Sequence, residues 1–188
     1  MATLPGVFLT TKKNGEISYR SSINFKGKHI SLGSFSTEKK ASLAYKEAKA
    51  LCDLPHKTIE DYKKNSVLPF AKWVSLINFR DNNMYCKTPI YILSNYFLYY
   101  FGPEDVLKFD VDDLFYYSKH TIQRRGVHLY VAEYGTQFNI LTRYGIKNFA
   151  VAGRDYRFVN GDCTDFRYRN IEIINKYHGV THHMERGI

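Results

Sequence analysis

Cysteine is scarce in this 188-residue chain, and acid is in short supply. Cys52, Cys86 and Cys163 are odd in number and far apart, which excludes a disulfide framework. They suit a reducing, cytoplasmic setting in which each thiol is a small buried hydrophobe. Long apolar runs are also missing. The most apolar stretch, Pro89 to Phe101 (PIYILSNYFLYYF), is too short and too rich in tyrosine to span a bilayer. The opening residues Met1-Ala2-Thr3-Leu4-Pro5 lack the cationic start and apolar run of a secretory leader. A membrane partner is therefore not expected. Against 27 Lys and Arg there are only 18 Asp and Glu, a net charge of +9. The surplus is uneven: residues 1–65 carry +6, residues 66–118 carry −2 and residues 119–188 carry +5. Two basic ends around a slightly acidic middle give two places able to meet a phosphate backbone.

What is present is clearest near the start. Tyr19, Ser21, Ile23 and Phe25 alternate with Arg20, Ser22, Asn24 and Lys26, the period of a half-buried strand. Lys26-Gly27-Lys28 is a turn, and His29 to Phe35 returns as a second strand with Ile30 and Leu32 inward. Gly6 to Thr11 supplies the first strand, closed by Lys13-Asn14-Gly15. Thr37 and Glu38 start a helix, with Thr37 placed to cap the first turn. Ala41, Ala44, Tyr45 and Ala48 recur at helical spacing, small enough to bring the helix close to a sheet, while Lys39, Lys40, Lys46 and Glu47 face solvent.

Gly6-Val7, Ile23, Leu32-Gly33-Ser34-Phe35-Ser36-Thr37-Glu38, Ala41, Ala44-Tyr45 and Ala48 together resemble the plant-type apetala-two/ethylene-response-factor domain, over roughly residues 5–52. Relatives of that domain occur in phage and mobile-element integrases and in HNH homing endonucleases. The resemblance implies a three-stranded antiparallel sheet packed on one helix, with the outer sheet face entering the DNA major groove. The outward positions fall at Phe8, Thr10, Ser22, Asn24, His29 and Ser31, with Arg20 on the same face. The plant family mostly carries Arg, Glu and Trp there, so its target sequence does not transfer. Thr10, Arg20, Ser22, Asn24, Lys26, Lys28, His29 and Ser31 are the candidate DNA contacts of this module.

Pro55 stops the first helix, and residues 55–68 read as a linker after a first domain at 1–54. Within it Thr58 and Asp61-Tyr62-Lys63 suggest a short helix. Residues 69–176 read as a larger, aromatic-rich α+β domain whose rings form a packed core. Asp110, Asp112 and Asp113 read as helix-start residues rather than as a metal loop. That helix is expected to run from Phe115 to Gln123 and to end near Arg124-Arg125-Gly126, followed by a strand from Val127 to Val131. Ile140 to Gly145 reads as a short helix.

Asp155 to Asn175 resembles the core of HNH endonucleases, carried by Val159-Asn160-Gly161-Asp162, Asp165, Arg167 and Asn170-Ile171. That resemblance implies a ββα-like unit. The family's general-base His and its acidic neighbour are replaced by Phe158 and Arg157, and its Asn by Phe166. None of these can accept a proton or hold a metal-bound water. A nuclease scaffold without catalytic residues is expected, with no cofactor and no metal site. Arg154, Arg157, Arg167 and Arg169 are its candidate phosphate contacts. In residues 177–188 Gly179-Val180 repeats Gly6-Val7, and the segment reads as a partial second copy of the N-terminal module's first strand, cut short naturally or by truncation, rather than as a metal site at His178, His182 and His183.

The fold class expected is α+β. The function expected is non-enzymatic binding of double-stranded DNA by a phage or mobile-element protein. Two alternatives stand beside it. One is an anti-defence inhibitor, such as an anti-CRISPR protein, acting on a host nuclease or its guide-RNA complex. The other is a working HNH-type homing endonuclease.

Overall fold

Alternation of apolar and polar residues folds the N-terminal segment as expected. In a computed structural model, which describes residues 4–11, 13–133 and 135–177, β1 (Val7–Thr11), β2 (Ile17–Phe25) and β3 (Lys28–Phe35) form an antiparallel sheet in the order β1-β2-β3. Helix α1 (Glu38–Asp53) packs on it. The Thr37 hydroxyl accepts from the Lys40 amide at 3.2 Å, and Ala41, Ala44, Ala48 and Leu51 are fully buried. Gly6 has φ of 72°, and a Cβ there would stand 2.1 Å from a ring carbon of Tyr45. Only glycine permits that approach of strand to helix. The protein is thus α+β, with further sheets and helices after this module.

The chain divides into two units, residues 1–92 with 99–106 and residues 93–98 with 107–188. Residues 55–68, expected as a linker, lie inside the first unit. Glu47 accepts from the Val67 amide at 3.1 Å and the Leu68 amide at 2.8 Å, one to each carboxylate oxygen. The Trp73 indole donates to the Thr58 carbonyl at 3.0 Å, and the Tyr62 ring lies against Phe70 and Trp73. In place of a short helix at 61–63 there is a turn, with Asp61 accepting from the Thr58 amide. Helix α2 (Phe70–Asn82) packs against α1 and is buried at every residue from Trp73 to Phe79. Its two buried polar side chains are satisfied. Ser75 donates to the Ala71 carbonyl, and Asn78 joins the Met84 carbonyl to the Ile92 amide.

Strands β4 (Ile90–Ile92), β5 (Tyr96–Gly102) and β6 (Asp105–Asp110) form a second three-stranded sheet. They use the aromatic run as core: Phe97, Tyr99, Tyr100 and Phe109 are buried.

In the second unit α3 (Leu114–Tyr117) is a single turn, not a helix reaching Gln123. The side chains of Ser118 and His120 take the carbonyls of Phe115 and Tyr116, which competes with continuation. Residues expected at the helix end instead form β7 (Ile122–Arg125), paired with β8 (His128–Glu133), and β9 (Thr136–Asn139) completes the sheet. Gly126 is the hairpin turn, not a helix cap. A 3₁₀ turn at Ile140–Tyr144 ends on left-handed Gly145, at the position expected for a short helix. Strands β10 (Tyr156–Phe158) and β11 (Ile171–Ile173) pair antiparallel, with a 3₁₀ turn at Tyr168–Asn170. Among the described residues no α-helix follows β11. The expected partial repeat falls almost wholly on residues 178–188, outside the described residues.

Cys52 and Cys86 are buried, and burial pushes both thiols up to about 11. Cys163 is exposed, contrary to expectation. Among the described residues no helix is long and apolar enough to cross a membrane.

Replacing Glu47 by Ala removes an ionised acceptor from two backbone amides. The expected cost is about 1.5–3 kcal/mol of stability. Urea denaturation of the full chain measures it, and an unchanged midpoint would remove Glu47 as the tie between α1 and residues 67–68.

Candidate nucleic-acid interface

Register assigns each side chain of the first sheet to a face. Thr10 pairs with Ser18, Phe8 with Arg20, Arg20 with Ser34, Ser22 with Ser31 and Asn24 with His29. These residues share one face, opposite buried Val7, Ile23 and Ile30; Ser18 at its end is buried too. Arg20 is exposed on the central strand, and Phe8 beside it is 56% exposed. His29 Nδ1 and Asn24 Oδ1 are 2.9 Å apart. With that ring nitrogen donating, the Asn24 amide group and the other imidazole nitrogen remain for a ligand. Asn24, His29 and Ser31 are exposed as expected, and Thr10 is half-buried. Ser22 is only 9% exposed, a correction to its expected outward role. It is a small side chain on the central strand, shadowed by the strands on both sides.

Two expected contacts lie elsewhere. Lys26, at φ 45° in the turn, donates from Nζ to the carbonyls of Arg80 (2.7 Å) and Phe79 (3.4 Å) and to Asn83 Oδ1. It thereby caps the C-terminus of α2, where a cation meets the negative end of the helix. Lys28 lies with its Nζ 5.2 Å from the Tyr85 ring centroid, and it pairs with Phe25, off the outer face. Sequence reasoning missed Ser34, which stands opposite Arg20. A bulge puts it there: Ser21 pairs with Gly33 and Ser22 with Ser31, so Leu32 is the extra residue. Gly33, at φ 134°, was the available signal.

The HNH-like segment is wired internally. Arg167 makes a two-pronged contact with buried Asp165, at 2.8 and 2.5 Å. Asn160 adds a bond to Asp165, and Asn170 donates to the carbonyls of Asp162 and Asp165. Burial pushes the Asp165 carboxyl up, but the Arg167 guanidinium, its backbone amide and the Asn160 amide together hold it below the usual range. Arg154 pairs with the fully buried carboxylate of Asp155 at 2.8 Å, and Arg157 with Glu172 directly across the strand pair at 2.7 Å. Three of the four expected phosphate contacts are therefore already neutralised by neighbours. Arg169 is exposed. At the replaced catalytic positions, Phe158 meets Phe166 edge-on at 5.6 Å, and Phe166 stacks on Phe109 at 5.5 Å. Phe166 is buried, Phe158 is half-buried against it, and Arg157 is exposed. Among the described residues no group of three or more His, Cys, Asp and Glu is placed to hold a metal. A cavity of about 610 Å³ also lies in this unit, lined by Leu107, Leu129, Ile140, Tyr156, Phe158 and Phe166 among others.

Asp110 stands at the N-cap position of the 3₁₀ turn Val111–Asp113 that leads into α3, but its side chain accepts from the Tyr168 amide at 2.6 Å and makes no capping bond, while Asp113 is buried and paired with Arg143.

Asp162 gives a pH test. Its carboxyl is held down to about 2 by the Thr164 hydroxyl, then by the Lys108 ammonium and the Thr164 amide. A carboxyl depressed in the folded state stabilises above its unfolded pKa and loses that stabilisation as pH falls toward 2. Asp162→Asn is expected to lower the urea midpoint at pH 7 and to flatten its decline between about pH 4 and pH 2. An acid limb parallel to that of the wild type would refute the assignment.

Set against protein-family models, curated proteins and solved structures, the chain matches none.

Proposed function

We propose that the protein is a non-enzymatic DNA-binding protein of a phage or other mobile element, acting in the cytoplasm and holding duplex DNA against the outer face of β1–β3. The observation that carries this reading is Arg20. It stands exposed on the central strand among Ser31, Ser34, Asn24 and His29, on a face with no carboxylate. Such a face offers phosphate an attractive charge and offers base edges several hydrogen-bonding groups. The formal charge of +9 and the resemblance to the apetala-two family support it. The resemblance to HNH endonucleases adds a mobile-element origin. No cleavage step belongs to the proposal, since Phe158, Arg157 and Phe166 stand where that family has its catalytic groups.

A second reading, an inhibitor that binds a host nuclease, draws on Phe115 and Phe149, which are 70% and 63% exposed in the second unit. Large exposed apolar side chains suit a protein partner.

A duplex of about 20 base pairs titrated with the full chain tests the first reading. Affinity is expected to fall steeply with salt. Arg20→Ala is expected to weaken binding about tenfold and to reduce the salt slope by about one. Lys26→Met is expected to lower stability by about 1 kcal/mol and leave the salt slope unchanged. Salt-insensitive binding, or full affinity in Arg20→Ala, sinks the proposal. A stable complex with a nuclease in the absence of DNA supports the second reading.

A further inference from the structure

The β7–β8–β9 sheet of the second unit has a solvent face that no expectation from the sequence assigned. Cross-strand register places Gln123 beside Tyr130, Arg125 beside His128 and Ala132 beside Gln137 on one face. The other face carries Ile122, Leu129 and Val131, all buried, together with Arg124 and Phe138, which are exposed. On the first face Gln123, Arg125, His128 and Gln137 are exposed toward the tip and edge, while Tyr130 is half-buried and Asn139 opposite it is buried. This face carries no carboxylate, because Glu133 pairs with Thr136 and so belongs to the opposite face. Among the described residues Arg125 makes no ion pair, unlike Arg154, Arg157 and Arg167. The His128 and Tyr130 rings lie 6.1 Å apart along the same strand.

The tip of the ribbon adds a second observation. The turn between β7 and β8 is only Gly126-Val127, with Gly126 at φ 59°. Glycine meets a backbone need there. Val127 meets none, and it is 91% exposed. An apolar side chain presented at a tip, flanked by Arg125 and His128, matches a partner that is anionic along its rails and apolar between them.

We propose that this ribbon is a second DNA-contacting surface, which enters the major groove of duplex DNA tip first. Arg125 and His128 would meet phosphates or guanine edges, and Val127 a thymine methyl. The major groove, about 12 Å wide, admits a two-stranded ribbon and displays that methyl group, whereas the major groove of duplex RNA is too narrow for side chains to read. The surface is separate from β1–β3 and does not depend on the reading given above for that sheet.

The test uses the full chain and a labelled duplex of about 20 base pairs containing A·T steps, with anisotropy followed across a salt series. Arg125→Ala is expected to weaken binding about tenfold and to reduce the salt slope by about one. Val127→Ser is expected to weaken it several-fold with no change in slope, because it removes an apolar contact and no charge. Both sites are exposed, and an unchanged melting temperature verifies that folding is intact. A duplex RNA of equal length is expected to bind at least tenfold more weakly, and equal binding overturns the groove placement. If Arg125→Ala keeps full affinity and slope while Arg20→Ala loses both, the ribbon proposal fails and the β1–β3 reading stands. If the pattern is reversed, the ribbon stands and the other fails. A wild-type chain that binds no duplex overturns both.

Discussion

Side-chain oxygens that accept backbone amides hold this protein together where regular structure runs out. Buried amides need a partner, and a segment with neither helix nor ladder must find one among side chains. Glu47 serves residues 67 and 68, Asp61 serves Thr58, Asp110 serves Tyr168 and Asp155 serves Val151. Asp162, Asp165, Asn139 and Asn170 do the same for the amides of Thr164, Arg167, Leu141 and Asn160. The second unit depends on this most, since its strands are short and its only α-helix among the described residues has four residues.

This use of acid has an electrostatic consequence. The chain has nine fewer carboxylates than cationic side chains, and several of those it has are turned inward. Asp113, Asp155 and Asp165 are buried, and each neutralises one arginine that would otherwise have been an external cation. The cations left over on acid-free sheet faces, Arg20 in one unit and Arg125 in the other, are few. Beside them stand hydrogen-bonding and aromatic side chains, Asn24 and His29 in the first unit and Tyr130 in the second.

Legibility in the sequence followed periodicity. The first sheet and α1 were readable because their apolar positions repeat at two and at about 3.6 residues, with Thr37 and Ala41, Ala44 and Ala48 marking the start and the buried side. Helix α2 was not readable. It is buried on every side from Trp73 to Phe79, so no polar face contrasts with an apolar one. Strand β7 was misread because Gly126 suits a helix end as well as a hairpin, and Ile122 finds its buried partner Val131 only once the chain has turned back. On the outer face of the first sheet two positions were not legible: Ser22, buried on the central strand, and Ser34, since an extra residue at Leu32 shifts everything after it. Lys26 was assigned from charge alone, while its acceptors lie more than fifty residues away in α2. Arg154 and Arg157 were visible as charges, but Asp155 and Glu172 were not visible as their partners.

The two units are interleaved along the chain, because each is built from separated stretches: residues 99–106 belong with the first and residues 93–98 with the second. No single cut yields either one whole. A fragment ending at residue 92 lacks Tyr100, whose ring packs against Phe70, together with buried Tyr99. A fragment starting at residue 107 lacks Phe97, which stacks on Phe109 at 5.4 Å, and Tyr96, which lies under the Arg167 guanidinium. During synthesis the first unit therefore waits for Tyr100 before its last buried side chain exists, and the second starts its core with Phe97, made before that point.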